Sequence, residues 1–136
     1  NKEINKGLQK SFELLDEYID LNLNNFNLGK EDFFLVGFSQ GTMLSLFTSI
    51  RRRCSGVIGY SGALLDTDLP NNIVKNDILL IHGAADTVVP PIRMEHAKNQ
   101  LKKMSKSLET KLFKNLGHSI NDEGLQLGYS FIKKRL

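Results

Sequence analysis

The pentapeptide Gly37-Phe38-Ser39-Gln40-Gly41 constrains this chain more than any other stretch of it. Ahead of it, Phe33-Phe34-Leu35-Val36 is an apolar run with the length and side-chain types of a short buried strand. Behind it, Thr42 to Ile50 reads as a helix packed against a core. G-x-S-x-G between a strand and a helix makes a sharp turn that holds its central serine in a strained backbone conformation. The flanking glycines are needed because a Cβ two positions to either side would crowd the neighbouring strand and helix. The strain points the Ser39 hydroxyl away from the sheet. The helix that starts behind it aims backbone N–H groups at the same point. A blander reading is a tight turn whose serine merely caps the helix.

A serine hydroxyl is a poor nucleophile until a histidine takes its proton, and that histidine must be oriented by a carboxylate. Both residue types follow along the chain. Ile78-Leu79-Leu80-Ile81 is a second buried strand, and His82-Gly83-Ala84-Ala85-Asp86-Thr87-Val88-Val89-Pro90 extends from its carboxyl end. Further on, Leu116-Gly117-His118-Ser119 follows another strand-like run, Thr110 to Lys114. In an open parallel sheet the carboxyl ends of the strands share one edge, and ligands bind there. Ser39, Asp86 and His118 are therefore expected to meet at that edge. Asp86 has a plainer alternative as the cap of a helix beginning near Pro90-Pro91, and His118 as a surface-loop histidine. Of the other two histidines, His82 is expected to be structural, hydrogen-bonded beneath the site. His96, in the charged run Arg93 to Lys98, is expected to face solvent. No pair of histidines has i,i+4 spacing and no C-x-x-C exists, so neither a metal nor another cofactor is expected.

These stretches, with Gly59-Tyr60-Ser61-Gly62-Ala63-Leu64, resemble the phospholipase/carboxylesterase family of serine α/β-hydrolases, which includes acyl-protein thioesterases. The bacterial branch is the most similar, and the resemblance covers nearly the whole chain. The order Ser, Asp, His is the order of the α/β-hydrolase triad. The resemblance implies hydrolysis of a small carboxylic ester or acyl thioester, with Ser39 as nucleophile, Asp86 as orienter and His118 as base. It implies the N–H of Gln40 as an oxyanion donor. Tyr60, Ser61 and Leu64, at the end of the second strand, are expected to line the acyl groove, with simple loop packing as the alternative.

The family's first strands, and the H-G-x-G-like loop that supplies the second oxyanion donor, have no counterpart before the pentapeptide. The sequence thus reads as the C-terminal part of such a hydrolase, expected to turn over esters poorly without the rest. In the family's sheet the strand at 33–37 is interior. Here its free apolar edge is expected to pair with another chain, as in a homodimer.

Composition narrows the alternatives. The 136 residues suit a single domain, 1–136, with a sizeable core. Hydrophobic and charged fractions of 40% and 24% are those of a globular protein, and no apolar run is long enough for stable membrane insertion. The lone Cys54 excludes an internal disulfide framework and fits a reducing compartment, so a cytoplasmic location is expected. The net charge of +3 comes from Arg51-Arg52-Arg53 and Lys133-Lys134-Arg135, both at expected helix ends, where cations complement the helix dipole. No basic face with interleaved aromatics is present, which argues against nucleic acid as a partner.

Ile4, Leu8, Phe12, Leu15 and Ile19 mark an amphipathic first helix. Strands are then expected at 33–37, 56–60, 77–82 and 109–114. Helices are expected at 41–52, 91–104 and 121–135, the last with Leu125, Tyr129, Ile132 and Leu136 along one side. Strands alternating with helices give an α/β fold, the C-terminal half of a parallel α/β-hydrolase sheet with about four strands and helices on both faces. The function expected is acyl transfer to water through an acyl-serine intermediate. The competing reading is a non-catalytic fragment or interaction module that retains these residues. A peptidase or lactone hydrolase on the same fold is a third.

Overall fold

Apolar strands alternate with helices along the chain, and a computed structural model describing residues 2–136 shows where each packs. The elements are α1 (Lys2–Asn25), β1 (Phe34–Phe38), α2 (Gln40–Ser49), β2 (Gly56–Tyr60), β3 (Asp77–Gly83), α3 (Ile92–Leu101), β4 (Ser107–Phe113) and α4 (Asp122–Lys133). The strands form one parallel sheet in the order β1-β2-β3-β4. This is the expected α/β fold, with strand limits within two residues of those read from sequence.

Side chains alternate across the sheet, as a strand requires. Leu35, Val57, Ile78 and Leu80 face one side, where they pack with Ile19 and Leu23 of α1, Leu46 of α2, and Met94, Ala97 and Leu101 of α3. Ile58, Tyr60, Leu79 and Ile81 face the other side and pack with Phe131 of α4. Strands β2 and β3 are covered on both faces, which is why their sequences are nearly unbroken apolar runs.

The edges differ. β4 carries Glu109 and Lys111, charges that discourage further pairing. β1 leaves Val36 and Phe38 exposed. Among the described residues no helix is long and apolar enough to cross a membrane.

One helix face differs from the sequence reading. Leu125, Tyr129 and Leu136 of the terminal segment are exposed, and only Ile132 of the expected stripe packs on the core. The buried face of α4 is instead Gly124, Gly128 and Phe131. Tyr60 is the cause. Its hydroxyl donates to the Gly124 carbonyl at 2.9 Å and occupies the space a side chain at 128 would need. Asn121 starts the helix by accepting the N–H of Gly124 at 2.8 Å.

Candidate active site

The last residues of the strands, Phe38, Tyr60, Gly83 and Phe113, lie along one edge of the sheet through the pairs Phe38↔Tyr60 and Gly83↔Phe113. The loops that follow carry Ser39, Ser61, Asp86 and His118.

Ser39 sits between β1 and α2 with φ 56° and ψ −112°, outside the regions that L-residues ordinarily occupy. A residue held there costs on the order of 1–3 kcal/mol. The turn is fastened by the Ser39 N–H donating to the Tyr60 carbonyl at 2.9 Å, and by the Thr42 hydroxyl donating to the same carbonyl at 2.8 Å. The Ser39 side chain makes no capping bond to α2, so helix capping does not account for it. Gln40 opens α2, and helix geometry leaves its N–H without an intrahelical acceptor.

Asp86 is 4% exposed. Its Oδ1 accepts the N–H groups of Val88 and Val89, both at 2.9 Å, and its Oδ2 lies 2.8 Å from Nδ1 of His118. It therefore folds its own loop and faces His118, while the residue before α3 is Pro91, without a side-chain cap. Burial pushes the Asp86 carboxyl upward, but the bonds from His118, Val89 and Val88 outweigh it and hold the group below the usual carboxylate range.

The His118 loop reaches Asp86 because Gly83 lets it. The Leu116 and Gly117 backbone occupies the space where a Cβ at 83 would lie. Ala84 donates to the Phe113 carbonyl at 2.8 Å and Ala85 to that of Leu116 at 2.9 Å, tying the two loops together. The His118 side chain keeps 19% exposure, and its ring packs on Phe38, the neighbour of Ser39, at 4.9 Å between centroids. No hydrogen bond joins the Ser39 hydroxyl to His118 among the described residues.

Of the residues expected to line an acyl groove, two are buried. Tyr60 is 3% exposed and locked under α4. Ser61 is 1% exposed, with φ 51°, and its hydroxyl points toward the Ser119 carbonyl at 3.4 Å. Leu64 packs on the core and lines an apolar cavity of about 150 Å³ with Leu8, Met43, Phe47 and Met104. Tyr60 and Ser61 are thus committed to the interior, which corrects the expectation for those two, while Leu64 does line a cavity, along the side of α2. The apolar side chains that are open to solvent near the site are Phe38 and Val88. Sequence reading passed over both, although Val88 lies only two positions beyond Asp86.

His82 is buried beneath the site, as expected, with Nε2 at 2.8 Å from the Val89 carbonyl and 3.4 Å from Oδ2 of Asp86. His96 is partly exposed, with Nε2 3.7 Å from the Asp66 carboxylate. Among the described residues no group of three or more His, Cys, Asp and Glu is arranged to hold a metal ion.

Comparison with known proteins places the sequence and the fold in a family. The sequence model of the phospholipase/carboxylesterase family matches residues 1–136. A probable carboxylesterase of Oryza sativa subsp. japonica is 29% identical over 99% of this chain and 58% of its own length. Acyl-protein thioesterase 1 homolog 2 of Dictyostelium discoideum is 30% identical over 96% of this chain and 61% of its own. The crystal structure of Arabidopsis thaliana SOBER1 superposes with a TM-score of 0.86 at 27% identity, over 96% of this chain and 65% of that one. The chain thus spans about three-fifths of the length of the relatives it matches.

Proposed function

Because this chain belongs to the phospholipase/carboxylesterase family, we propose that it hydrolyses carboxylic esters or thioesters, with Ser39, His118 and Asp86 as its catalytic triad. The observation that carries this reading is the 2.8 Å bond from His118 Nδ1 to Asp86 Oδ2, at the sheet edge where Ser39 is held in a strained turn.

In this reading Nδ1 donates to Asp86, so Nε2 of His118 is left with its lone pair. It takes the Ser39 proton as Oγ adds to the acyl carbon. The negative oxygen that forms is stabilised by the N–H of Gln40, reinforced by the amino end of α2. Collapse breaks the bond to the alcohol or thiol, which leaves with the proton from His118. Water then adds to the acyl-Ser39 carbonyl, giving its proton to His118, and the carboxylic acid departs as that proton returns to Ser39. Asp86 stays ionised throughout, which its depressed pKa favours. Phe38 and Val88 are the apolar surface against which the acyl group would lie.

Hydrolysis of a short nitrophenyl ester is the test. Turnover abolished by Ser39→Ala supports the assignment; equal rates for the alanine variant and the parent would remove it. By the same reading the open edge of β1 pairs with β1 of a second copy, and a monomer at all concentrations in sedimentation would contradict that part. The buried Cys54, its thiol pushed up to about 11 by desolvation, takes no part in the chemistry and fits a reducing cytoplasm.

A further inference from the structure

We propose that His82 is a positioning residue for Asp86, holding its carboxylate toward His118 through the bond that His82 Nε2–H donates to the Val89 carbonyl. The proposal rests on the triad reading above and goes one step behind it.

Between Asp77 and His82 the strand is hydrocarbon: Ile78, Leu79, Leu80 and Ile81, all buried. A polar ring 1% exposed in such a run is unfavourable unless its N–H groups are used. The structure shows the use. His82 Nε2 lies 2.8 Å from the Val89 oxygen, which can only accept, so Nε2 carries the proton. That same nitrogen is 3.4 Å from Asp86 Oδ2, the oxygen bound by His118. Val89 also donates its own N–H to Asp86 Oδ1. Val89 thus links the two side chains, its carbonyl held by His82 and its N–H holding Asp86, while the His82 ring lies against the carboxylate from beneath. The space beside the His82 ring, bounded by Thr42, Leu80, Met94 and Ala97, is only about 10 Å³, at the lower limit for one water. Solvent is therefore no ready replacement for the histidine.

Removing the donor leaves the Val89 carbonyl unpaired in the interior and frees loop 84–90 to shift. Asp86 Oδ2 then drifts from His118. A displacement of about 1 Å at a reacting centre is enough to slow chemistry by up to about 10²-fold.

The test compares His82→Leu, which keeps bulk and loses the donor, with His82→Gln, whose terminal amide reaches the Nε2 position. The first readout is the downfield proton resonance of His118 Nδ1–H, assigned by its disappearance in His118→Asn. It should persist in the parent and in the Gln variant, and broaden or vanish in the Leu variant. The second is nitrophenyl ester turnover, where kcat should fall about 10- to 10²-fold for Leu with KM little changed, and recover in Gln. If Leu does not fold, His82→Asn, whose amide stops at the Nδ1 position, is read the same way. An unchanged His118 resonance in folded Leu or Asn variants would overturn the proposal, leaving His82 a core residue. The resonance needs no turnover, so it judges His82 even if the esterase reading fails.

Discussion

The two ends of this parallel sheet are both polar, and they are built for opposite purposes. At the amino end, Asn76 is 2% exposed and fully engaged. It accepts the Cys54 N–H at 2.9 Å and donates to the carbonyls of Ser49 and Arg52 at 2.6 and 2.8 Å. Asp77 is closed by the Ser107 hydroxyl at 2.7 Å and the Arg135 guanidinium at 2.9 Å. Arg52 clamps Asp16 and Asp20 of α1, each at 2.8 Å. The one described non-glycine residue with a positive φ in the loop leading into that end is Asn27, at 53°, the left-handed conformation that asparagine readily adopts after a helix. At the carboxyl end Ser39 and Ser61 are both held at positive φ, and the Asp86 carboxylate is buried against a histidine that still meets solvent. Both ends satisfy their enclosed carboxylates, so such polarity does not distinguish them. What sets the carboxyl end apart is strained backbone at Ser39 next to an accessible imidazole.

Mutations should separate the two ends cleanly. The largest effect expected is on turnover at the carboxyl end. Ser39→Ala lowers kcat by about 10⁶-fold in a complete triad, equivalent to about 8 kcal/mol, while the denaturation midpoint barely moves. Asp86→Asn keeps the acceptor for Val88 and Val89 but presents an amide to His118, and should cost about 10⁴-fold in kcat. Turnover unchanged in either variant would erase the distinction.

The next effect belongs to the amino end and should appear only in stability. Asn76→Ala strands three buried backbone groups at about 1 kcal/mol or more each, so about 3 kcal/mol by urea denaturation, with kcat unaltered. Arg52→Ala is smaller, about 1 kcal/mol, and should shrink as salt is added, because Asp20 is well exposed.

Acid acts on both ends at once. The burial that would raise Asp77 is outweighed by Ser107 and Arg135, and its carboxyl, like that of Asp86, lies below the usual range. Each therefore contributes stability that is complete above the ordinary carboxylate pKa, about 4, and is lost as pH falls through the depressed folded value. Asp77→Asn should flatten the acid limb of an unfolding curve measured against pH. A limb of unchanged steepness would mean that the carboxylate is not held as described.

Much of this was legible in the sequence, because the signals were local. Three apolar runs and one more polar, strand-like run gave the strands, and a glycine-flanked serine, an aspartate and a histidine after three of the four gave the carboxyl edge. What escaped detection depends on distance in sequence or on residues without side chains. The stripe read along α4 counted Leu125 and Tyr129, whereas the face that packs is made of Gly124 and Gly128, which add nothing to an apolar pattern. Tyr60 was taken for a ligand contact because it ends a strand, yet its hydroxyl is claimed by α4. Arg52 was read as a partner of its own helix dipole, and its partners proved to be Asp16 and Asp20 on α1. The His82 contact with Asp86 had one clue, a histidine directly after the apolar run Ile78 to Ile81.

The most direct test of the central claim is covalent labelling by a fluorophosphonate probe, followed by mass-spectrometric mapping of the modified residue. Such a probe reports a serine activated by its histidine, whatever the natural substrate is. The triad account predicts modification of Ser39 in the parent, none in Ser39→Ala, and at most a trace in His118→Ala. Equal labelling of parent and His118→Ala, attachment at another residue, or an unmodified parent would contradict it.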